Sequence, residues 1–469
     1  MKKTKIICSI GPASNQVEVM KQMVEAGMNV GRINFSHATD EERTQALYAI
    51  RECRKITGKS IAILWDTKGP EFRGGVMEND GIDLVEGKTI RLVKEEVVGT
   101  TERISVNHPS AIDSLNVGNV VLLENAKMKV EVISKEEDGV TCKIIVGGHL
   151  GNRKSFSAPG IKLNIPFVGE ADREDIEYAC EHGGEFLALS FVNTKEDVLE
   201  VKEILKAHNR EDMKIICKIE SKLGIDNLKE ILEVSDGAMV ARGDLGTEIP
   251  SEEVPHAQKY IIKTCREMGK IAVTATEMLE TMMDNARPKR AETSDIANAV
   301  LDGTDAVMLS GETTMGKHPI ETVQAMADIC EVAEKYAEFD YISGRKIETV
   351  SAAIAEGVVE SSNRLDAKLI CAATLSGNTA RVMSNLKPKA PILALCPDEK
   401  VGRQLALNWG VYPADLKVCN STDEVLNLSV ERAKEFMELN KNDVILLTGG
   451  FPNTDKNRTT NLMKIEVID

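Results

Sequence analysis

Two carboxylates and a lysine stand where short apolar runs of this chain end. Lys218 and Glu220 are two residues apart in the run 214–220, so in a strand both side chains would point to the same side. Asp244 follows a second apolar run and is preceded by Gly243, whose backbone N–H could meet an anion. These groups suit metal-assisted chemistry on a phosphate or a carboxylate. The alternative, solvated strand ends, is the commoner fate of any single charge.

Polar residues follow other short apolar runs in the same way. The runs alternate with amphipathic helical patterns, as in folds whose parallel strands end at one common edge. A ring of polar strand ends favours a catalytic site at that edge. The candidates are Arg32, Asn34, Ser36, Asp66, Thr67, Ser190, Lys218, Glu220, Asp244, Thr276, Ser310 and Glu312.

Eight strand–helix units predict an α/β fold, a (β/α)8 TIM barrel. We assign this catalytic domain to residues 1–68 and 167–340. The expected barrel strands are 5–10, 29–34, 61–66, 186–190, 214–219, 237–241, 271–275 and 305–309.

Two further domains are expected outside the barrel pattern. Residues 69–166 are too many for a loop, and their short β-type segments predict an inserted all-β domain, a small β-barrel acting as a lid on the third βα loop. Residues 341–469 predict a C-terminal α/β regulatory domain with a mostly parallel sheet. Its expected strands are 369–373, 392–395, 444–447 and 464–468.

The composition narrows the class of protein. The 469 residues suffice for two or three domains, and 42% of them are apolar, which suits compact cores. A net charge of −16 argues against a nucleic-acid or membrane surface as partner. No apolar run has transmembrane length, and no signal-peptide pattern opens the sequence. Ten scattered cysteines without a CxxC pair make a zinc or iron–sulfur site improbable and suggest a reducing, cytoplasmic location.

Six motifs in order resemble the pyruvate kinase family, over essentially the whole chain. They are Thr-Lys-Ile at 4–6 with Gly-Pro-Ala-Ser at 11–14, Arg-Ile-Asn-Phe-Ser-His at 32–37, Asp-Thr-Lys-Gly-Pro-Glu at 66–71, Lys-Ile-Glu at 218–220, Ala-Arg-Gly-Asp-Leu-Gly at 241–246, and Leu-Asp-Gly at 301–303 with Met-Leu-Ser-Gly-Glu-Thr at 308–313. The family's barrel, β lid and C-terminal α/β domain agree with the organisation inferred above.

The resemblance implies transfer of a phosphoryl group from phosphoenolpyruvate to ADP, giving pyruvate and ATP in the last step of glycolysis. The substrate-binding positions that it implies are Arg32, Lys218, Gly243, Asp244 and Thr276. Among these, Lys218, Thr276 and Arg32 would be catalytic, and Thr276 or its water would relay a proton to the enolate. Glu220 and Asp244 would hold Mg²⁺ or Mn²⁺, since hard oxygen ligands suit such ions.

The resemblance also implies a monovalent cation, usually K⁺. The matching oxygen ligands are Asn34, Ser36, Asp66 and Thr67. Glu71 occupies the position where family members that need K⁺ carry glutamate and independent members carry lysine, so we expect K⁺ dependence. For Asn34 or Ser36 taken alone, ordinary loop hydrogen bonding would be the simpler interpretation.

Nucleotide contacts follow from the same resemblance. The matching residues are Asn34, His37, Arg73 and Lys154, with Pro12 facing the base. Around Lys154 the chain reads Asn-Arg-Lys-Ser-Phe-Ser rather than the family's commoner Lys-Gly-Val-Asn, and a solvated lysine is the alternative there. Glu42 and Glu277 also depart from the family pattern, at positions near the nucleotide and after Thr276.

A hydroxyl- and glycine-rich turn in the C-terminal domain could cradle a phosphate. Its residues are Thr374, Ser376, Gly377, Asn378 and Thr379. In the family, sugar phosphates or nucleotides bind at this place as allosteric effectors; a plain βα turn with a helix cap is the alternative. A homotetramer is what the family implies. The P-loop-like stretch 311–318 is rejected because His318 replaces the required Ser or Thr.

Two competing functions are also compatible with the amino-acid sequence. A metal-dependent barrel lyase or aldolase acting on pyruvate or phosphoenolpyruvate could use the same acids, but it needs neither a nucleotide lid nor a monovalent cation. A degenerate kinase that senses metabolites would be marked by loss of Lys218, Glu220 or Asp244, and all three are present. The kinase is favoured.

Overall fold

The computed structural model describes residues 1–339, 349–419, 421–451 and 459–469. The predicted boundary between residues 340 and 341 lies outside these ranges.

The strands are numbered along the chain. They are β1 (Lys5–Ser9), β2 (Val30–Asn34), β3 (Ala62–Asp66), β4 (Gly81–Leu84), β5 (Thr89–Val93), β6 (Arg103–Ser105), β7 (Val120–Leu123), β8 (Met128–Lys135), β9 (Gly139–Val146), β10 (Gly148–Gly151), β11 (Phe156–Ser157), β12 (Phe186–Leu189), β13 (Lys214–Ile219), β14 (Gly237–Ala241), β15 (Ile271–Ala275), β16 (Ala306–Leu309), β17 (Leu369–Ala373), β18 (Ile392–Cys396), β19 (Val411–Asp415), β20 (Val444–Gly449) and β21 (Leu462–Val467).

The helices are numbered in the same way. They are α1 (Val17–Ala26), α2 (Asp40–Thr57), α3 (Glu170–His182), α4 (Lys195–Ala207), α5 (Lys222–Asp226), α6 (Leu228–Val234), α7 (Arg242–Glu248), α8 (Val254–Met268), α9 (Arg290–Asp302), α10 (Gly311–Thr314), α11 (Pro319–Glu334), α12 (Val350–Arg364), α13 (Asn378–Asn385), α14 (Glu399–Gln404) and α15 (Thr422–Phe436).

Eight parallel strands close into a barrel in the order β1-β16-β15-β14-β13-β12-β3-β2. Nearly all their residues are buried, because one face packs into the barrel interior and the other lies under the surrounding helices. The predicted strands all form, with ends within one residue of the prediction. The predicted fold class is therefore confirmed.

Local sequence signals place the ends of the barrel helices. Thr39 and Glu42 form a capping box at the start of α2, in which each side chain accepts the other residue's backbone N–H. Gly58 ends the helix with φ +65°, the left-handed conformation that glycine adopts without strain. Such caps fix the residues at which each helix begins and ends, and therefore where the chain turns toward the next strand.

Between β3 and α3 the chain forms only β structure apart from short 3₁₀ turns. A six-stranded sheet has the order β11-β7-β8-β9-β5-β6, and β4 pairs with β10 in a separate ribbon. This insert has its own apolar core, which includes Ile90, Val121 and Val130. It matches the expected all-β domain; the boundaries 69 and 166 and its action as a lid stay predictions.

The C-terminal sheet has the order β19-β18-β17-β20-β21, and only β21 runs antiparallel to its neighbour. The sequence did not predict β19, because Pro413 lies within it. Proline is tolerated in an edge strand, where its missing N–H breaks no ladder bond. Along the described residues, no helix is both long and apolar enough to cross a membrane.

A buried ion pair joins the C-terminal segment to the amino-terminal side of the barrel. Lys387, just after α13, lies 2.5 Å from Asp305, just before β16, and their side chains are 0% and 3% exposed. Asp305 also accepts the Ala272 N–H at 2.8 Å. Burial lowers the pKa of Lys387, and Asp305 opposes that effect.

Breaking this ion pair should destabilise the folded protein. We expect Lys387→Met to lower the free energy of unfolding by about 3–5 kcal/mol, because Asp305 would keep a buried, unpaired charge. Lys387→Met combined with Asp305→Asn should recover part of that loss. Chemical denaturation measures both. The exposed Lys389 provides the control Lys389→Met, and an equal loss in the two single variants would contradict the prediction.

Candidate active site

A cavity of 690 Å³ lies at the carboxyl ends of the barrel strands. It gathers most of the residues that the sequence singled out, from six different strand ends and from the insert. Those that line it are Pro12, Arg32, Asn34, Ser36, His37, Glu42, Glu71, Arg73, Ser190, Lys218, Glu220, Asp244, Thr276 and Ser310. Chemistry in barrel folds collects at this end, so the cavity is the candidate active site.

Asp66 at the end of β3 holds two cations of the site. Its Oδ2 accepts from Arg32 Nε at 2.6 Å, and its Oδ1 lies 3.3 Å from Lys218 Nζ. Burial alone would raise the pKa of Asp66, but Arg32 and Lys218 outweigh burial and hold this pKa below its usual value. The carboxylate, 1% exposed, therefore stays ionised and orients both cations.

Lys218 is an ammonium group surrounded by acceptors. Its Nζ donates to Ser190 Oγ at 2.7 Å and lies 3.0 Å from Glu220 Oε1. Burial would lower the pKa of Lys218, but Asp66 and Glu220 raise it above the usual value. The side chain is thus a permanent cation at the cavity wall, suited to stabilise negative charge and unsuited to give up a proton.

Glu220 and Asp244 follow the neighbouring strands β13 and β14. Glu220 is 1% exposed, and its Oε2 accepts the Phe191 N–H at 2.6 Å. Its Oε1 is buried and faces Lys218 Nζ at 3.0 Å. Burial raises the pKa of Glu220 to about 7, with Lys218 opposing and Asp244 adding to the rise. Asp244 is exposed to the cavity.

This pair fits a divalent cation. The buried Glu220 carboxylate and the accessible Asp244 carboxylate both line the cavity and form a hard-oxygen donor set. Across the described residues, no group of three or more His, Cys, Asp or Glu side chains is arranged for a metal ion. Two carboxylates leave several coordination positions for substrate oxygens and water, as Mg²⁺ sites in phosphoryl-transfer enzymes do.

Thr276 is held in an unusual backbone conformation at the end of β15. It has φ +66° and Glu277 has φ +53°, a region that β-branched residues rarely adopt. Arg242 fixes this turn by donating to the Thr276 carbonyl at 2.6 Å and the Glu277 carbonyl at 3.1 Å. The Thr276 hydroxyl accepts the Gly243 N–H at 2.9 Å, which places it beside the start of α7.

The four predicted K⁺ ligands lie on two paired strand ends. The register of β2 and β3 sets Asn34 opposite Asp66. Asn34 Oδ1 accepts the Ser36 N–H at 3.0 Å, and Thr67 Oγ1 accepts the Ser190 N–H at 3.2 Å. Asn34 and Ser36 line the cavity, whereas Asp66 and Thr67 are buried and do not line it, and both Asp66 oxygens already face a cation.

Only some of the residues predicted to contact the nucleotide lie at the cavity. His37 and Arg73 line the cavity, and Arg73 forms a two-pronged ion pair with Glu71 at 2.7 and 2.8 Å. Lys154 instead lies within the insert, 3.6 Å from Glu124, and does not line the cavity. Its side chain is 44% exposed, and its contact with a nucleotide stays a prediction.

Family comparisons agree with this geometry. A model described as the pyruvate kinase barrel domain matches residues 1–323, and one described as the pyruvate kinase alpha/beta domain matches residues 352–466. This chain belongs to the pyruvate kinase family. It is 46% identical to a pyruvate kinase of Geobacillus stearothermophilus and 44% identical to one of Bacillus licheniformis, covering 100% of this chain and 80% and 81% of those proteins.

A solved structure shows the same fold. A crystal structure of a pyruvate kinase from Cryptosporidium parvum superposes with a TM-score of 0.93 at 37% identity, covering 100% of this chain and 96% of that one. The family membership predicted from the sequence motifs is therefore confirmed.

The two departures from the family pattern have different surroundings. Glu42 lines the cavity, but its carboxylate caps α2 by accepting the Thr39 N–H at 2.8 Å. Glu277 does not line the cavity. Of the two, Glu42 is therefore the one placed to meet a ligand in the cavity.

The predicted effector residues of this pyruvate kinase family member gather where β17 meets α13. Gly377 caps α13 with φ +79°, and Thr379 is buried with its hydroxyl 2.8 Å from that of Thr460. Thr374 is buried and Ser376 is partly exposed. The turn exists as expected, but the Thr379 hydroxyl is already paired inside the domain. Part of the neighbouring loop, 452–458, lies outside the described residues.

Three residues for which the sequence predicted no individual role shape the site. Ser190 accepts from Lys218, Arg242 supports the Thr276 turn, and Phe191, with φ +55°, turns its N–H to Glu220. Ser190 and Arg242 were visible as a polar strand end and a motif residue. The backbone conformation of Phe191 has no signal in its residue type.

Asp66 should make the stability of the protein depend on pH in acid. Its pKa is lower in the folded than in the unfolded state, so its contribution is full above the unfolded-state value of about 3.9 and is lost as the pH falls through the folded-state value. We expect Asp66→Asn to lower the free energy of unfolding by about 3–5 kcal/mol at neutral pH. The difference from the unaltered chain should shrink in acid.

Chemical denaturation from neutral pH into acid checks this prediction. Asp226→Asn is the control, since Asp226 pairs with Lys222 on the surface and should cost about 0.5 kcal/mol or less. A loss for Asp66→Asn that is as small as in the control, or that does not change with pH, would show that Asp66 does not hold the two cations as described.

Proposed function

We propose that this cavity transfers the phosphoryl group of phosphoenolpyruvate to ADP, forming pyruvate and ATP. The observation that carries the proposal is the convergence of Arg32 and Lys218, both oriented by Asp66, on a cavity that also holds Glu220 and Asp244. Phosphoryl transfer needs positioning and charge neutralisation more than covalent chemistry by the protein. Two fixed cations facing two carboxylates supply both.

Glu220 and Asp244 would hold Mg²⁺ or Mn²⁺. A bound ion would supply positive charge that offsets the negative charge of the phosphate oxygens. Both carboxylates line the cavity, which supports this assignment, and a bound cation would favour the ionised form of Glu220.

The cations would act on the transferred group. Arg32 donates to Asp66 and, through Nη1, to Ser9 Oγ at 2.7 Å, so the guanidinium plane is fixed before substrate binds. Lys218 would stabilise the charge spread over the phosphoryl oxygens in the transition state. Because both groups are already oriented, little reorganisation is needed during the reaction.

The substrate carboxylate would bind where α7 begins. Gly243 and Asp244 offer backbone N–H groups there, and the Thr276 hydroxyl, now paired with Gly243, would share that contact. Once the phosphoryl group leaves, the enolate carbon needs a proton, which Thr276 or a water on it would relay.

ADP would occupy the part of the cavity between barrel and insert. Asn34, His37 and Arg73 line it, with Pro12 facing the base. Lys154 would join them only by leaving Glu124 as the insert moves toward the barrel, which is how a lid would act.

K⁺ would bind among Asn34, Ser36, Asp66 and Thr67, and it would add positive charge beside the transferred phosphate. A phosphate-bearing effector, either a sugar phosphate or a nucleotide, would bind the turn 374–379 and regulate activity. We further propose that the protein is a homotetramer and that it is located in the cytoplasm.

The first test is ADP-dependent formation of pyruvate from phosphoenolpyruvate with Mg²⁺. We expect Glu220→Gln to lower kcat/KM at least about hundredfold, because one metal ligand is lost, and to weaken Mn²⁺ binding measured by electron paramagnetic resonance. The exposed Glu233 provides the control Glu233→Gln. Absence of pyruvate from the unaltered chain, with or without sugar-phosphate activators, would refute the proposed function.

The dependence on K⁺ is a separate prediction. Replacing K⁺ by tetramethylammonium should lower activity at least about tenfold, which corresponds to about 1.4 kcal/mol of transition-state stabilisation. Glu71→Lys should reduce that dependence, since an ammonium group would replace part of the missing charge. The exposed Glu78 gives the control Glu78→Lys. Equal activity in both salts would contradict the K⁺ assignment while leaving phosphoryl transfer intact.

A further inference from the structure

Both chain segments that connect the insert to the barrel lie next to one helix. The outgoing connection, residues 67–71, follows β3, and the returning connection, residues 166–169, leads directly into α3. The first turns of α3 therefore occupy the place where a moving insert would pivot.

The outgoing connection is fixed to α3 by a buried carboxylate. Gly69 donates its N–H to Asp172 Oδ1 at 2.8 Å, and Asp172 is 7% exposed. Gly69 has φ +74°, and a Cβ there would lie 2.8 Å from Ser190 Cβ. Only glycine fits this position, so the connection passes close against β12 as well as α3.

A second carboxylate, one helical turn later, extends this attachment. Asp175 lies 3.1 Å from Lys68 and 3.7 Å from Arg43. Arg43 donates to the Ala38 carbonyl at 3.0 Å, in the loop that carries His37. Because Asp172 and Asp175 are three residues apart, they lie on the same face of α3. One helix face thus contacts the outgoing connection directly and, through Arg43, the loop on the barrel side of the cavity.

We infer that Asp172 and Asp175 form a hinge clamp that sets the position of the insert for nucleotide binding. The inference rests on the proposed function and adds positioning residues to it, since neither carboxylate lines the cavity. A nucleotide that contacts both Arg73, just beyond the outgoing connection, and His37 on the barrel requires these two parts in register. Phosphoenolpyruvate, bound by barrel residues alone, does not.

Removing the clamp should therefore weaken the binding of ADP and leave the binding of phosphoenolpyruvate nearly unchanged. We expect Asp172→Ala to raise KM for ADP by about tenfold, the factor that corresponds to one lost hydrogen bond to a charged group. KM for phosphoenolpyruvate should change less than about twofold. Asp172→Asn keeps an acceptor for the Gly69 N–H and should restore most of the affinity for ADP. Glu174→Ala, an exposed change on the same helix, is the matched control.

Hydrogen exchange followed by mass spectrometry gives a readout independent of turnover. The Gly69 amide should be protected in the unaltered full-length chain and should exchange faster in Asp172→Ala, with no change in Glu174→Ala. Protection measured on the unaltered chain keeps the inference testable even if Asp172→Ala does not fold.

The outcomes are distinct. Equal rises in both KM values, no rescue by Asp172→Asn, or an unprotected Gly69 amide would each overturn the hinge clamp. A catalytically inactive unaltered chain would refute the proposed function instead, and Gly69 protection in that chain would still support the attachment of the outgoing connection to α3.

Discussion

One buried carboxylate sets the electrostatics of the whole cavity. Asp66 orients Arg32 and Lys218, which otherwise repel each other at short range in a low-dielectric wall. Lys218 in turn lies against Glu220. Negatively and positively charged side chains therefore alternate from the end of β3 to the surface of the cavity. Because each charge is held by its neighbour, the site is organised before any ligand arrives, as electrostatic catalysis requires.

A second layer of contacts keeps strained backbone in place around these charges. Arg242, which is itself paired with Asp295 at 2.7 Å, holds the carbonyls of Thr276 and Glu277. Residues in such a conformation persist only where the surroundings over-determine them. Loops that follow neighbouring barrel strands thus hold one another in position. The geometry of the site therefore depends on the closed barrel more than on any single loop.

The sequence was sufficient for the barrel and for most of the cavity residues, because both depend on local patterns: buried apolar strands and polar residues at their ends. It did not show which distant residues pair. Lys154 lies 3.6 Å from Glu124 inside the insert, and the two Asp66 oxygens face Arg32 and Lys218. The strand containing Pro413 was missed because its tolerance depends on being at a sheet edge.

The close approach of the two insert connections also bears on how the chain folds. β3 must pair with β12, which is synthesised only after the entire insert. An unfolded segment of that length would impose a large loop-closure entropy on this pairing. The insert has its own core, and once folded it presents its two ends side by side at α3. If the insert folds during synthesis, a distant strand pairing becomes a nearly local one, and the edge of β3 is open to aggregation for a shorter time.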